Sequence, residues 1–181
     1  ARSWLRCRDA DVKVNEISPP QLNASDLQKE YNRSIDFNRL LITHNKIFQK
    51  QYPNIPIAMF ITNTEGHILS VQGHDIVIKA IEQSPLDVGT STNEFSIGTS
   101  APSISLAEKT MALVIGEEHY FEGFHWASCF SVPIYSSDNK FSGLLDFSSS
   151  FRFGEHLKRM TPFFLHIANS IQFEVFVKSK L

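Results

Sequence analysis

The stretch that decides the fold is CFSVPIYSSDNKFSGLLDFS, residues 129–148. It holds two apolar-rich runs, 129–135 and 141–148, separated by a short spacer. The spacer, residues 136–140, reads Ser-Ser-Asp-Asn-Lys, a composition typical of turns. Two such runs around a turn predict an antiparallel β-hairpin.

The sequence before this hairpin predicts further strands and helices. The run IPIAMFIT at 55–62 is a predicted strand, and it is followed by a turn at 63–66 and a second strand at 67–71. Beyond them we expect a helix at 75–83, a Gly-, Ser- and Thr-rich loop at 85–99, a short helix from Ser100 through 108 and a strand at 111–115. Pro102 fits the first turn of that helix, where a missing N–H is harmless.

Both ends of the chain are predicted to be helical. A short helix is expected at 3–8, then an extended linker at Pro19-Pro20. A long helix is expected from Asn23 or Ser25 to about residue 50, ended by Pro53. The last helix carries an apolar stripe with intervals of 3, 4, 3, 4 and 4 residues: Leu157, Met160, Phe164, Ile167, Ile171 and Val175. Thr161-Pro162 either kinks this helix or marks its start.

This order of elements predicts an α+β fold. Because neighbouring strands are joined by tight turns, we expect one central antiparallel sheet of about five to six strands, flanked by helices, with long N- and C-terminal helices. We divide the chain into a helical N-terminal part (1–52), the sheet with its loops (53–155) and a C-terminal helix of the same domain (156–181).

Composition and charge exclude several classes of protein. The 181 residues include 42% hydrophobic and 20% charged residues, with 15 Phe, which favours a packed core over disorder. The net charge of −2 and the scattered Lys and Arg predict no nucleic-acid surface. Without a signal peptide pattern or an apolar run of roughly 20 residues, we expect a cytoplasmic protein with no membrane contact.

Several segments resemble the activators of acetoin and glycerol metabolism, a branch of the sigma-54-dependent enhancer-binding proteins that carries a GAF sensor domain. Residues 3–7 (SWLRC) resemble the SWxRC opening of this family. The other similar segments, in order, are 59–66 with Ile68 and Leu69, 97–101 with 106–108, 116–121 (GEEHYF), 129–134 and 143–146 (GLLD).

The resemblance implies a GAF-like fold and a regulatory role. It implies a ligand-sensing domain that controls a separate ATPase module and DNA-binding module, so that DNA and RNA polymerase are reached only through those absent modules. Pro102 and Ser103 replace the usual Ile-Gly, and Trp126 lies one position from the usual Trp. Since these departures lie in loops that shape the pocket, the family's usual ligand is not assumed.

The segment 118–129 is the densest in polar and aromatic residues and is the leading candidate for a binding site. In one interpretation it roofs a cavity over the sheet, offering polar groups on an apolar wall. In the other, its aromatics are core and His119 only bonds a loop carbonyl. The expected ligand-binding residues are Phe60, Phe95, Ile97, Thr99, His119, Phe121, Phe124, His125, Trp126, Cys129, Ser131 and Asp146.

Three of these residues admit other interpretations. His119, His125 and Cys129 include metal-ligand types, but their spacing of six and four residues fits no standard zinc pattern. We therefore expect no metal and no cofactor, and keep a metal or redox sensor as an alternative. Cys129 heads a buried-looking strand, where a thiol commonly packs as a small hydrophobe, although a lowered pKa would make it a nucleophile.

Asp146 and the loop 90–99 complete the candidate site. Asp146 interrupts an apolar strand, so its carboxyl faces solvent, faces the cavity or caps a backbone group. The loop 90–99 is a second candidate pocket wall, because long loops over a sheet are often binding loops. Gly98 is expected to permit the turn into the helix that starts at Ser100.

The function expected from the sequence is effector sensing. A small-molecule effector would bind over the sheet, and a homodimer built from the terminal helices would pass the signal onward. A module that senses a partner protein without a small ligand is the other alternative. No nucleophile–base pair, carboxylate dyad or phosphate loop stands out, so we do not expect an enzyme.

Overall fold

A computed structural model describes residues 2–136 and 138–178, with backbone only for Lys178. Residue 137 of the predicted turn and residues 179–181 of the predicted C-terminal part lie outside the described residues. The helices are α1 (Arg2–Asp9), α2 (Ala24–Arg33), α3 (Ile35–Gln51), α4 (Asp75–Glu82), α5 (Glu94–Ile97), α6 (Ala101–Glu108) and α7 (Gly154–Lys178). The strands are β1 (Ala58–Thr62), β2 (Ile68–Gly73), β3 (Ala112–Ile115), β4 (Ala127–Tyr135) and β5 (Phe141–Ser150).

The five strands form one antiparallel sheet in the order β2-β1-β5-β4-β3. The predicted α+β class is therefore confirmed. The hairpin predicted from residues 129–148 is β4 and β5, and it is longer than predicted at the ends away from the turn. β5 lies at the centre of the sheet, between β1 and β4.

One face of the sheet packs on α3 and α7 and holds the main core. Phe147 of β5 stacks on Phe164 of α7 with ring centroids 4.5 Å apart, and Phe48 of α3 lies 5.9 Å from the same ring. All three rings are at most 2% exposed. The predicted stripe of the last helix is the surface that contacts this core: Leu157, Phe164, Ile167 and Ile171 are buried.

The other face of the sheet is covered by α4, α6 and the segments around them. Ser100 caps α6: its side chain accepts from the Ser103 amide, and the Ser103 hydroxyl accepts from the Ser100 amide. These two bonds satisfy amides that the first turn of a helix leaves free. The predicted short helix that starts at Ser100 and runs through 108 is confirmed.

The structure corrects one helix prediction and removes one of two alternatives at another. The helix expected from 23 or 25 to 50 breaks at Ser34, where the buried Asn38 side chain donates to the Ser34 carbonyl. The last helix begins at Gly154, so Thr161-Pro162 does not mark its start. Pro162 has no N–H for the Lys158 carbonyl, and the Thr161 hydroxyl donates to that carbonyl instead, at 2.9 Å.

Truncation of the central core ring tests the two-faced sheet. We expect Phe147→Ala to reduce the free energy of unfolding by about 3–5 kcal/mol, because it opens a cavity between two rings. Phe95→Ala removes the same ring from a position that is 62% exposed, and is expected to cost less than about 0.5 kcal/mol. Urea denaturation measures both, and equal losses would contradict this packing.

Candidate functional site

Polar side chains line the sheet face opposite the aromatic core. Alternation along the strands places Asp146 and Ser148 of β5 beside Ser131 and Cys129 of β4. Asp146 pairs in register with Ser131 and with Phe60 of β1, and Ser148 pairs with Cys129. This face therefore carries a carboxyl, hydroxyls and a thiol at positions where the other face carries rings.

A small cavity lies between this face and its cover. Its volume is about 30 Å³, above the roughly 10–15 Å³ that a cavity needs to hold a water molecule. Its walls come from β1, β4, β5, α4, the loop before α6 and the segment 119–127. The lining residues are Phe60, Ile81, Ser84, Leu86, Ile97, Ser100, Pro102, His119, Phe124, Trp126, Ala127, Cys129 and Ser148.

Larger grooves open on the surface. One of about 420 Å³ is bordered by Glu30, Arg33 and Phe141, and one of about 410 Å³ by Met111 and Pro162. Neither is lined by a residue with an unpartnered buried polar atom. The small cavity has this feature and is therefore the candidate site.

His119 presents a neutral imidazole to the cavity. It follows the 3₁₀ turn Gly116–Glu118, and its Nδ1 lies 2.9 Å from the Gly116 carbonyl. Since a carbonyl only accepts, Nδ1 carries the proton and Nε2 is a free acceptor. Burial lowers the pKa of His119 to about 4. Its Nε2 atom has no hydrogen-bond partner among the described residues.

Asp146 is a second buried titratable group on the covered face. The Ser148 hydroxyl donates to Asp146 Oδ2 at 2.6 Å. Asp146 Oδ1 and the neighbouring Ser131 Oγ are buried without a partner in the part of the chain that the structure describes. Burial raises the pKa of Asp146 to about 8, against the opposing effect of Ser148. The carboxyl is therefore mainly neutral at pH 7.

Cys129 does not have the surroundings of a reactive thiol. Burial and then Asp146 raise the pKa of the Cys129 thiol well above its ordinary value. A nucleophilic cysteine requires the opposite shift. At neutral pH the cavity wall thus carries a neutral imidazole and a protonated thiol, and the neutral carboxyl of Asp146 is buried beside it on the same sheet face.

The structure brings half of the sequence-predicted site residues to the cavity wall. These are Phe60, Ile97, His119, Phe124, Trp126 and Cys129. Ser131 and Asp146 are fully buried on the same sheet face. Phe121 packs edge-on against Phe124 at 4.9 Å, and His125 Nε2 lies 3.3 Å from the His119 carbonyl.

The remaining predicted residues, Phe95 and Thr99, lie elsewhere. In α5 one helical turn directs Glu94 and Ile97 inward and leaves Phe95 62% exposed. Thr99 is buried, but its hydroxyl lies 2.7 Å from that of Ser3 in α1. The loop before α6 therefore forms a wall of the cavity, as expected, through Ile97 and Ser100.

Sequence reasoning missed two groups of residues around the site. Ile81 of α4 lines the cavity, and only the amphipathic pattern of α4 hinted that it has a buried face. The second group is the hydrogen-bonded set of Ser3, Arg6 and Glu94, which fixes α1 to the outer side of the cavity wall. The SWLRC segment, residues 3–7, marked α1 as notable in the sequence, but nothing in the sequence identified Glu94 as the residue that it contacts.

The structure does not arrange His119, His125 and Cys129 as ligands of one metal ion. Among residues 2–136 and 138–178, no three His, Cys, Asp or Glu side chains are placed to hold a metal ion. Within the same residues, no helix has the length and apolar character to cross a bilayer.

The two buried titratable groups predict a pH dependence of stability. Asp146 keeps its proton up to about pH 8 when folded but loses it near 4 when unfolded. Folding therefore takes up a proton in this range, and Asp146 lowers stability as pH rises. His119 has the opposite effect between about pH 6.5 and 4, where the unfolded imidazole is charged and the folded one is neutral.

Between pH 6.5 and 8, Asp146 is the one of these two groups that changes the pH dependence of stability. We expect the free energy of unfolding to fall there by roughly 2 kcal/mol in the native chain relative to Asp146→Asn, at about 1.4 kcal/mol per pH unit. Urea denaturation at several pH values measures the difference. His119→Asn is the control: it should remove only the loss of stability on acidification below about pH 6.5. Parallel profiles of stability against pH for the native and Asp146→Asn chains would refute a buried neutral carboxyl.

The chain is similar in sequence to segments of two regulatory proteins. No protein-family profile matches it. It is 26% identical over 152 residues to the acetoin dehydrogenase operon transcriptional activator AcoR of Bacillus subtilis (strain 168), covering 82% of this chain and 25% of AcoR. It is 24% identical over 149 residues to a signal-transduction and transcriptional-control protein of Clostridium beijerinckii, covering 80% of this chain and 23% of that relative.

Solved structures show the same fold. DhaR(N) in the E. coli DhaR(N)-DhaL complex matches with a TM-score of 0.87 at 18% identity, covering 98% of this chain and 60% of that one. HmgR of Pseudomonas aeruginosa matches with a TM-score of 0.53 at 8% identity, covering 88% and 79%. The chain spans about a quarter of the length of the curated relatives it matches. The chain therefore has the fold of DhaR(N) and is similar in sequence to a segment of the transcriptional activator AcoR.

Proposed function

We propose that this chain is the sensor domain of a cytoplasmic bacterial transcriptional activator, and that a small effector binds in the cavity that His119 lines. The observation that carries this proposal is the set of three buried polar atoms without partners: His119 Nε2, Asp146 Oδ1 and Ser131 Oγ. A buried polar group without a hydrogen bond costs about 1–3 kcal/mol. Such groups on the face that borders a cavity are expected where a ligand or water completes them.

The charge state of the site defines the kind of effector. The pKa of Asp146 is raised to about 8 and that of His119 is lowered to about 4, so neither carries a full charge at pH 7. An anion would meet no counter-charge on this wall. We therefore propose a small uncharged effector that donates a hydrogen bond to His119 Nε2.

The size of the cavity makes binding a conformational event. With about 30 Å³ available, a ligand larger than water displaces the wall formed by Ile97, Ser100 and His119. That displacement supplies the two states that a sensor needs. A ligand shifts their balance only by the difference between its affinities for them.

β5 offers a direct route for the signal. Asp146 faces the covered side, and the next residue, Phe147, stacks on Phe164 of α7. A shift of β5 on effector binding is therefore transmitted to α7. We propose that α7 and the other terminal helices form a homodimer that reports to ATPase and DNA-binding modules outside this chain. The exposed Phe173, Phe176 and Val177 of α7 are suited to that contact.

A second candidate function is the sensing of a partner protein. Two observations favour it: the cavity has room for about one water, and DhaR(N), which shares the fold, was crystallised with DhaL. In this case the interior serves as core, and the surface binds the partner. The relatives are regulators of transcription, so neither candidate assigns an enzymatic activity to the chain.

Thermal denaturation with a panel of small compounds tests the first candidate. We expect an uncharged hydroxylated or carbonyl compound to raise Tm by roughly 5–10 °C at about 100 times its Kd, from a stabilisation of about 2.7 kcal/mol. Carboxylates and amines of the same size serve as charged counterparts and are expected to have no effect.

Two variants locate the binding site. His119→Asn is expected to abolish the stabilisation, whereas His166→Asn, on the exposed side of α7, is expected to preserve it. If no compound shifts Tm but a partner protein does, the first candidate is wrong and the second holds.

A further inference from the structure

Helix α1 is joined to the cavity wall by a cluster of side-chain hydrogen bonds. The Glu94 carboxylate, 3% exposed, accepts from Arg6 Nε at 2.6 Å and Nη2 at 2.9 Å, and also from the Ser3 hydroxyl. The hydrogen bond to Glu94 raises the pKa of Arg6, as expected for a guanidinium paired with a carboxylate. Charge-assisted, two-point contacts of this kind are among the stronger hydrogen bonds in proteins.

The same helix reaches a second wall of the cavity. Trp4 Nε1 donates to the Glu118 carbonyl at 2.8 Å, and the Trp4 ring packs edge-on against Tyr120 at 4.9 Å. The residue between these two contacts is His119. The two walls are also joined directly, because the Tyr120 amide donates to the Thr99 carbonyl at 3.0 Å.

These contacts lie one to three residues from the cavity lining. On one side the cavity is lined by Ile97, three residues after Glu94, and by Ser100, the residue after Thr99. His119 lines the other side. The turn between Ile97 and Ser100 requires Gly98, whose φ is +75°. A Cβ at this position would lie 2.8 Å from the Cβ of Tyr120. A movement that opens the cavity on this side therefore has to separate residues that α1 holds together.

Few buried apolar contacts hold α1 against the rest of the domain. Its buried residues are Ser3 and Cys7, while Trp4 is 39% and Leu5 48% exposed. Segments with few buried apolar contacts open at a lower free energy than the core. The docking of α1 thus depends on its polar contacts, and these can break while the sheet stays folded.

We propose that α1 is a latch: its residues Ser3, Trp4 and Arg6 hold the walls at 94–100 and 118–120 closed, and its release opens the cavity to solvent. This gating is a property of the fold and does not require a ligand. Its role in admitting an effector rests on the proposed function.

The reactivity of Cys129 reports the opening. Cys7 and Cys129 are the two cysteines of the chain, so Cys7→Ser leaves a single thiol, which lines the cavity. Because Cys7 is itself a buried residue of α1, 3.6 Å from the Thr99 hydroxyl, all rates are compared within the Cys7→Ser background. Its rate of reaction with an excess of a disulfide reagent such as dithionitrobenzoate measures how often the cavity opens. In this background we expect Arg6→Ala to increase the rate about ten- to hundredfold, as expected for the loss of a charge-assisted hydrogen bond.

Matched variants separate the latch from general destabilisation. Arg8→Ala removes an arginine of the same helix whose side chain is 68% exposed and pairs with the adjacent Asp9, and should leave the rate unchanged. Trp4→Phe removes the donor to Glu118 but keeps a ring, and should give a smaller increase than Arg6→Ala. Low urea should accelerate the reaction of Arg6→Ala only weakly, because local opening exposes little surface.

Two results would overturn the latch. One is an unchanged Cys129 rate in Arg6→Ala. The other is an increase that depends on urea as steeply as global unfolding does. The outcome is independent of the proposed function: a faster reaction without any stabilising compound supports the latch and not the effector, and an unchanged rate with a stabilising compound does the reverse.

Discussion

The structure depends on the alternation of β5, the central strand, between two buried environments. Phe147 enters an aromatic core with Phe164, and its neighbours Asp146 and Ser148 enter the opposite side, which is also covered. Because both faces are buried, the carboxyl has no access to water, and burial raises its pKa to about 8. Stability comes mainly from the aromatic face, while polar groups that cost free energy when unpaired are placed on the other.

The two faces are also held by different kinds of contact. Backbone ladders join β4 to β5 along nine residue pairs, from Ala127↔Ser150 to Tyr135↔Phe141. The cover over the polar face is held by single backbone bonds, such as that from the Tyr120 amide to the Thr99 carbonyl, and by side chains from distant parts of the chain, as in Arg6 with Glu94. A rigid sheet under a more weakly held cover is the division expected of a domain that changes shape on binding.

Local signals accounted for most of the fold and for part of the site. The hairpin of β4 and β5, the cap at Ser100 and the seam of α7 follow from turn residues, capping residues and apolar spacing, all within a few residues. The break at Ser34 has no Gly or Pro to mark it, and the side chain that bonds the Ser34 carbonyl there belongs to the buried Asn38, which looks like any other helix residue in the sequence. The ion pair of Arg6 with Glu94 joins residues 88 apart, so no local pattern reveals it. Phe95 faces outward because α5 turns where a loop was expected.

The central claim is that the covered face buries neutral polar groups at the cavity wall and directly beside it. The most direct measurement is a nuclear magnetic resonance titration of the side-chain carboxyl carbon of Asp146 and the imidazole nitrogens of His119. The result expected is a midpoint near pH 8 for Asp146, with His119 neutral and protonated at Nδ1 down to about pH 4. A midpoint near the ordinary value of about 4 for Asp146, or a charged His119 at pH 6, would contradict it.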